Sequence, residues 1–528
     1  MKKINCISFL ITVSFLTLIG WFSCCNFPIL MKPVSDFIDH RPSIEQLNDG
    51  ITKQMKSDDL FHKDGFINLN GLYGRLSGRR IYNDVVLLKN GYLTYTNQSL
   101  ELTDKSIQQK TDALIDFNQF IEERSGHFIY MQFPMKYDME KSMMPEGYGS
   151  DIPKETENLL ESFQTAGIDV IDTQPILSKT AAEIEENFYR TDHHWKPTAA
   201  FKAFQIIMEH LQELYPYQPY DQSIMDINNW TVHKQPEWFL GSLGKRVGEY
   251  FAGLDSLYWM TPNWETEVSL YNLKNNMFYA DDYETAFLCE DYIQNKGNIL
   301  HKNAYSVYIG GDYPLTISRN PNAPSGQKLL IIKDSFTQPL QTFYAMVFRE
   351  VDVIDPRYYT ASTMKEYIDH TRPDIVVMQI NPGAIYLDSY FHFSNGEDNL
   401  LSEDRNLLLK SDVSLKAKDS KYNKITIAEK FENEKYYTIR IPQISTAEGE
   451  TDSFTVGLFD FKNNKFISQT IFDVDYCNKY GDCEWTFQAP ESGSQDTGLL
   501  IYADIVGQTT NIGMNFENVQ LYERSLID

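Results

Sequence analysis

The string Tyr189-Arg190-Thr191-Asp192-His193-His194-Trp195-Lys196-Pro197 sets a carboxylate beside two imidazoles. Those residue types serve two chemistries. A carboxylate can orient an imidazole so that it acts as a general base. The same groups can ligate a metal, which needs three or four ligands. The remaining histidines, at positions 40, 62, 127, 210, 233, 301, 370 and 392, are scattered and form no second cluster. The acid–base reading is therefore favoured, and no metal or cofactor is expected. A second string, Leu329-Leu-Ile-Ile-Lys-Asp-Ser335-Phe336, runs an apolar strand into a polar Asp-Ser just before a helix. A serine at the carboxyl end of a parallel strand stands where open α/β sheets build their sites. The nearby helix N-terminus offers N–H groups to an oxyanion. Alone, such a serine reads as a helix cap. Paired with an Asp-x-His elsewhere in the same domain, it reads as a nucleophile.

Two further residues lie just past strand ends. Arg357 follows Ile354-Asp-Pro, and Asn381 follows Gln379-Ile. Both are candidate oxyanion or substrate-binding donors, alongside the backbone N–H of Ser335. Their structural alternatives are a surface ion pair and a turn residue before proline. Gly241-Ser-Leu-Gly244, with Lys245 and Arg246, is a candidate site loop.

The elements that must hold these residues alternate between strand and helix. A helix from Asp104, a strand His127–Phe133, a helix near Lys154–Thr165 and a strand Ile168–Ile171 precede the histidine loop. A helix then starts at Pro197, a favoured first-turn position. The rhythm resumes with strands Leu329–Ile332, Val351–Ile354 and Ile375–Met378 around helices Pro339–Phe348 and Ser362–His370. This pattern predicts a parallel sheet covered on both faces by helices. Asp84–Leu93 reads as a hairpin turning at Asn90-Gly91. Residues 240–325 read as a β-rich insertion, and 396–424 as a polar linker or cap. From Tyr436 short strands at sandwich spacing predict an antiparallel β-sandwich. The domains expected are 1–31 as a membrane anchor or signal, 32–425 as the α/β domain, and 426–528 as the sandwich.

Composition bounds the rest. The 528 residues carry a formal net charge of −26, which repels nucleic-acid phosphates and argues against that partner. Lys2 and Lys3 precede an uncharged run to Met31, long enough to span a bilayer with the bulk outside. A cleaved signal or a lipoprotein at Cys24 or Cys25 is the alternative. Cys477 and Cys483 could close a small disulfide loop outside the cytosol. The abundant rings (33 Tyr, 32 Phe) suit a packed core and also carbohydrate stacking.

The Asp192-His-His-Trp195 string followed by a helix resembles the DHHW family of bacterial surface proteins. It is also similar to the alginate O-acetyltransferase group of SGNH-hydrolase-like proteins, where Asp-x-His-Trp supplies acid and base and a later strand carries Asp-Ser. The resemblance implies an SGNH-like α/β fold with Ser335 as nucleophile, His194 as general base and Asp192 as its orienter. His193 is the alternative base. The order is permuted relative to ordinary SGNH hydrolases, and Lys333 stands where they have glycine. The implied activity is a serine-dependent O-acetyltransferase acting on a cell-surface or exported polysaccharide through an acyl-serine. An acetyl esterase with the same triad and a non-catalytic glycan-binding surface protein are the alternatives. A membrane-bound acyltransferase that supplies acetyl groups is the partner the resemblance implies, and the sandwich is expected to bind carbohydrate.

Overall fold

The computed structural model describes residues 63–527 except 97–100, 137–142, 147, 149–150, 275–276, 295–296, 417–421, 447–452, 492–495 and 505–512, together with scattered positions between 13 and 53. The core of the expected anchor, residues 7–22, lies largely outside the described residues. Among the described residues no helix is long and apolar enough to cross a membrane.

Eight strands form the central sheet. They are β1 (His127–Gln132), β2 (Asp169–Asp172), β3 (Val268–Asn272), β4 (Met277–Asp281), β5 (Leu315–Arg319), β6 (Ser325–Lys333), β7 (Phe348–Ile354) and β8 (Ile375–Ile380). Their spatial order is β2-β1-β8-β6-β7-β5-β3-β4. The first five in that order run parallel, and the last three join antiparallel. The region read as an insertion thus supplies three strands to the main sheet. The physical reason is burial: every residue of β3 is buried, so this strand extends the sheet instead of standing off it.

Side-chain alternation explains why helices cover both faces. Leu329 and Ile331 of β6 join one core cluster, and Leu330 and Ile332 join the other. The first face packs α3 (Pro197–Leu214) and α4 (Thr337–Val347). The second packs α1 (Asp104–Glu122), α2 (Ile152–Thr165) and α5 (Met364–Thr371). The hairpin at Asn90-Gly91 forms, with Val85–Leu87 paired to Leu93–Tyr95 and Gly91 at φ 88°.

The polar stretch expected as a linker carries a strand of 16 residues, Leu401–Lys416, paired along Gly513–Leu526. Its alternating Leu409, Val413 and Leu415 face the sandwich core, and the intervening charges face water. The C-terminal module therefore takes in residues from 401, ahead of the expected boundary at 425. It comprises a five-stranded and a four-stranded antiparallel sheet. A Cys477–Cys483 disulfide ties helix Val474–Tyr480 to strand Cys483–Gln488 across six residues. The loop-closure entropy of so short a loop is worth about 2 kcal/mol. A Cys477→Ser/Cys483→Ser chain should lose about that much in a denaturant melt, and an unchanged midpoint would show that the bridge adds nothing to stability.

Candidate active site

The histidine string forms a closed loop. Phe188 and Trp195 pair as an antiparallel bridge, and Lys196 N–H donates to Asn187 O at 2.7 Å. This cinches the ends of the loop and leaves Asp192–His194 at its tip. Trp195 is fully buried, and its indole N–H donates to Phe336 O at 3.0 Å. The loop is thereby fastened to the residue after Ser335, which lies between the end of β6 and the start of α4.

The fastening sets Ser335 Oγ 2.7 Å from His194 Nε2, and His194 Nδ1 2.6 Å from Asp192 Oδ1. An ionised carboxylate only accepts, so Nδ1 carries the proton and Nε2 is free to accept from the serine. Asp192 also accepts from His194 N–H at 2.9 Å and from Ser242 N–H at 2.6 Å. Burial opposes its ionisation, but the imidazoles of His194 and His193 and the bonds from His194 outweigh it and hold the carboxyl well below the usual range. The His194 ring lies flat on Tyr305, with centroids 3.8 Å apart and planes 8° apart. That stacking fixes the ring plane that the serine needs.

His193 turns aside. Its Nδ1 is 2.8 Å from Ser242 Oγ. Burial and the adjacent His194 lower it to about 3, so it stays neutral in ordinary buffers. Asp192, His193 and His194 bring three ligand atoms within 4.8 Å of one another, a spacing a metal could use. The Asp192 carboxylate and both His194 nitrogens are, however, already committed to each other and to Ser335 and Ser242. Two of the other histidines share one carboxylate, but among the described residues no second group of three ligands stands at metal-binding spacing. His127 and His210 both reach Asp169 Oδ2, at 3.0 and 2.8 Å, because β1, β2 and α3 meet there.

Arg357 and Asn381 lie beside the serine strand, each bonded to a neighbouring carboxylate. Arg357 donates Nε and Nη2 to Asp355 at 2.8 and 2.6 Å, and Nη2 also to Asp312 at 3.2 Å. Lys333 pairs with Asp312 and lies 3.4 Å from Asp355, closing a four-membered ionic ring. Asn381 gives both its backbone N–H and its carboxamide to Asp334 Oδ2 at 2.5 Å. Asp334 Oδ1 accepts from Phe336 N–H at 2.9 Å, so Asn381 and Asp334 brace the turn that presents Ser335. The Ser335 N–H itself makes no hydrogen bond among the described residues.

Several supporting residues were not read from the sequence. Ser242 was read only as part of the Gly241–Gly244 loop, without a role of its own, and Tyr305, in the short helical turn Ala304–Val307, has no local signal. Lys136 did carry one, since it stands just past the end of β1, at the same edge of the sheet as Ser335. Its Nζ donates to Arg190 O at 2.8 Å and Asp192 O at 2.7 Å, behind the loop. Burial lowers it to about 7 against the pull of Asp255 and Asp192. The candidate loop at Gly241 is in direct contact: a Cβ there would stand 2.3 Å from Asp192 Cβ.

Residues 85–238 match the family model described as SGNH hydrolase-like domain, acetyltransferase AlgX, and residues 177–354 match that of the DHHW protein. The Asp192–Trp195 string falls in both ranges, and Ser335 in the second. No curated protein matches the sequence. Among solved structures, Bacillus cereus PatB1 is 20% identical, with 59% of this chain and 99% of that chain covered and a TM-score of 0.49. A DHHW family protein from Eubacterium siraeum is 21% identical, covering 59% and 95%, with a TM-score of 0.44. Pseudomonas aeruginosa AlgX is 11% identical, covering 90% and 98%, with a TM-score of 0.33.

Two substitutions test the geometry. Gly241→Ala should push Asp192 off His194 and slow the reaction of Ser335 with an activated acetyl ester at least tenfold, while stability falls by no more than an overpacked site costs, about 1–3 kcal/mol. Rates equal to the unaltered chain would mean the loop yields freely. For Lys136, the folded value lies below the unfolded 10.5, so the unfolded chain binds the extra proton between about pH 7 and 10 and stability rises with pH across that window. Lys136→Met should flatten this rise in pH-dependent melts. An unchanged profile would show that Lys136 is not buried as described. Over the matched segments the chain is similar to the SGNH-type acetyltransferase domain of AlgX and to DHHW proteins.

Proposed function

We propose that the chain is a serine-dependent O-acetyltransferase that modifies an exported or cell-surface polysaccharide. The observation that carries this reading is the unbroken hydrogen-bonded line Asp192–His194–Ser335. His194 Nε2 takes the Ser335 proton as Oγ attacks the acetyl carbonyl of a donor. The Ser335 N–H is free to receive the oxyanion, an interaction worth about 3–4 kcal/mol. The imidazolium returns its proton to the leaving oxygen, which leaves an acetyl-serine. A sugar hydroxyl then attacks that ester, giving its proton to His194, and Ser335 recovers the proton as the product ester departs. Asp192 stays ionised throughout, holding the tautomer and balancing the imidazolium. His194 is favoured over His193 as the base because its Nε2 faces the serine, whereas Nδ1 of His193 faces Ser242.

Arg357 and Asn381 act in this reading as positioning residues. An extracytoplasmic location is supported by the uncharged run after Lys2 and Lys3, read as an N-terminal anchor, and by the Cys477–Cys483 bridge. A membrane-bound acyltransferase supplying acetyl groups remains part of the proposal, on the likeness alone.

The test is mass spectrometry of the chain incubated with p-nitrophenyl acetate. An acetyl adduct should form on Ser335 and vanish in Ser335→Ala. Asp192→Asn should slow its formation by about ten-thousandfold. Added glycan acceptors should discharge the adduct faster than water does. An adduct that water alone discharges would make the protein an esterase, and no adduct at all would sink the enzyme reading.

A further inference from the structure

A cleft of about 1370 Å³ lies away from Ser335, between the central sheet and the C-terminal module. Its floor is the face of β5 and β7. Helix α5 forms one wall, and strands Lys465–Asp473 and Cys483–Gln488 form the other. The walls are pinned together. Arg319 on the floor donates to Ile471 O at 2.6 Å, Tyr476 OH donates to Glu350 at 3.0 Å, and Arg349 pairs with Asp482 at 2.8 Å. On the opposite rim Leu401 N–H donates to Asp369 of α5. The cleft is therefore built into the contact between the two modules.

Four residues that line it each keep a buried polar atom with no hydrogen-bond partner among the described residues: Asp352 Oδ1, His370 Nε2, Arg349 Nε and Arg524 Nε. Native interiors leave few such atoms, and each calls for an explanation. Asp352 is only 6% exposed, and its other oxygen accepts from Tyr367 OH at 2.7 Å. Burial and the neighbouring Glu350 carboxylate push its carboxyl up, toward the neutral acid that can donate as well as accept. Opposite stands half-buried Trp485, stacked on Phe487 at 4.9 Å, with an indole N–H that makes no hydrogen bond among the described residues.

We propose that this cleft binds an extended, uncharged oligosaccharide, stacked on Trp485 and hydrogen-bonded by Asp352, His370 and Arg524. Three observations select that chemistry. The volume exceeds the roughly 300–1000 Å³ of compact ligand sites and suits a chain. The cleft's arginines are largely matched by carboxylates, as in Arg319–Glu350, Arg372–Asp369 and Arg405–Glu484, and the chain's net charge is −26, so a polyanion is disfavoured. A peptide would pair with an exposed strand edge, whereas the floor here is a sheet face. The ligand's class rests on the acetyltransferase reading; the existence of a site does not.

Calorimetry and tryptophan fluorescence on the full chain test this, using β-1,4-linked glucose and N-acetylglucosamine oligomers from dimer to hexamer. Affinity should climb with length in at least one series and quench tryptophan emission. Trp485→Ala and Asp352→Leu should each weaken it at least tenfold, with Trp485→Ala, at a half-buried position, decisive if Asp352→Leu fails to fold. No binding by either series overturns the proposal. So does binding that Trp485→Ala leaves intact, or stronger binding of oligo-uronates or unstructured peptides. The Ser335 adduct, read in parallel on the unaltered chain, separates the two ideas. An adduct without oligomer binding fells only the cleft, and oligomer binding without an adduct fells only the acetyl transfer.

Discussion

Everything at the site depends on burying one charge. Asp192 is 1% exposed, and an isolated carboxylate so placed would take up a proton and lose its hold on His194. It stays ionised because donors converge on it from two segments. His194 supplies two, and Ser242 supplies a third from the first residue of a helix 50 residues on. Behind the carboxylate, Lys136 gathers the carbonyls of Arg190 and Asp192, and Asp255 takes both the N–H and the hydroxyl of Thr191 at 2.7 Å. Gly241 has to be glycine because its backbone lies against Asp192. The loops from 136 to 255 are thus a cage for a single negative charge.

The sheet divides the labour. Lys136, Asn381, Ser335 and Arg357 follow the carboxyl ends of β1, β8, β6 and β7, four parallel strands arranged side by side. Parallel strands all point their carboxyl ends one way, so the residues beyond them gather on one edge without any long excursion of the chain. Of the antiparallel strands, β5 begins at that edge, with Asp312 just before it pairing with Lys333 and Arg357. These strands also supply surface: β5 and Tyr271 of β3, with β7, present the face on which the cleft opens. The ionic ring of Lys333, Asp312, Arg357 and Asp355 stands at the boundary. It ties the strand before Ser335 to a loop in which Ile309, Gly310 and Gly311 all have positive φ, a costly run for a β-branched residue.

What was legible in the sequence follows from range. Asp192, His194 and Ser335 could be picked out because rare residue types stood next to strong strand and helix patterns, and the fold brings them within hydrogen-bond distance. The helices and parallel strands were legible for the same reason, since their periodicity is local. Tyr305 depends on where distant segments meet, which no local pattern encodes; Lys136 past a strand end and Ser242 in the Gly241–Gly244 loop had a local mark, but their partners Asp192 and Arg190 lie in other segments. Arg357 and Asn381 stand past strand ends as read, but the carboxylates that take up their donors were not read. Asp355, two residues before Arg357, was a visible rival for its charge, and Asp334 captures Asn381 only once β8 lies beside β6. The strand Leu401–Lys416 was hidden by its charged outer face, which reads as linker until the inward Leu409, Val413 and Leu415 are paired with a partner.

The choice between transfer and hydrolysis is a competition at one atom. Water reaches an acetyl-serine at enormous concentration, so a sugar hydroxyl prevails only if it is held in reach and in line. The proposed triad has no means of telling the two apart, because His194 deprotonates either. Discrimination must therefore come from outside the Asp192–His194–Ser335 line. Tyr305 and Phe336 pack the imidazole on two sides, which narrows the approach to Ser335 without closing it, for the serine remains half-exposed. A polymer gripped elsewhere on a rigid body raises the effective concentration of its own hydroxyls, whereas water gains nothing from such a grip. A module pinned to the central sheet by Arg319, Arg349 and Tyr476 supplies that rigidity, and a freely tethered one would not.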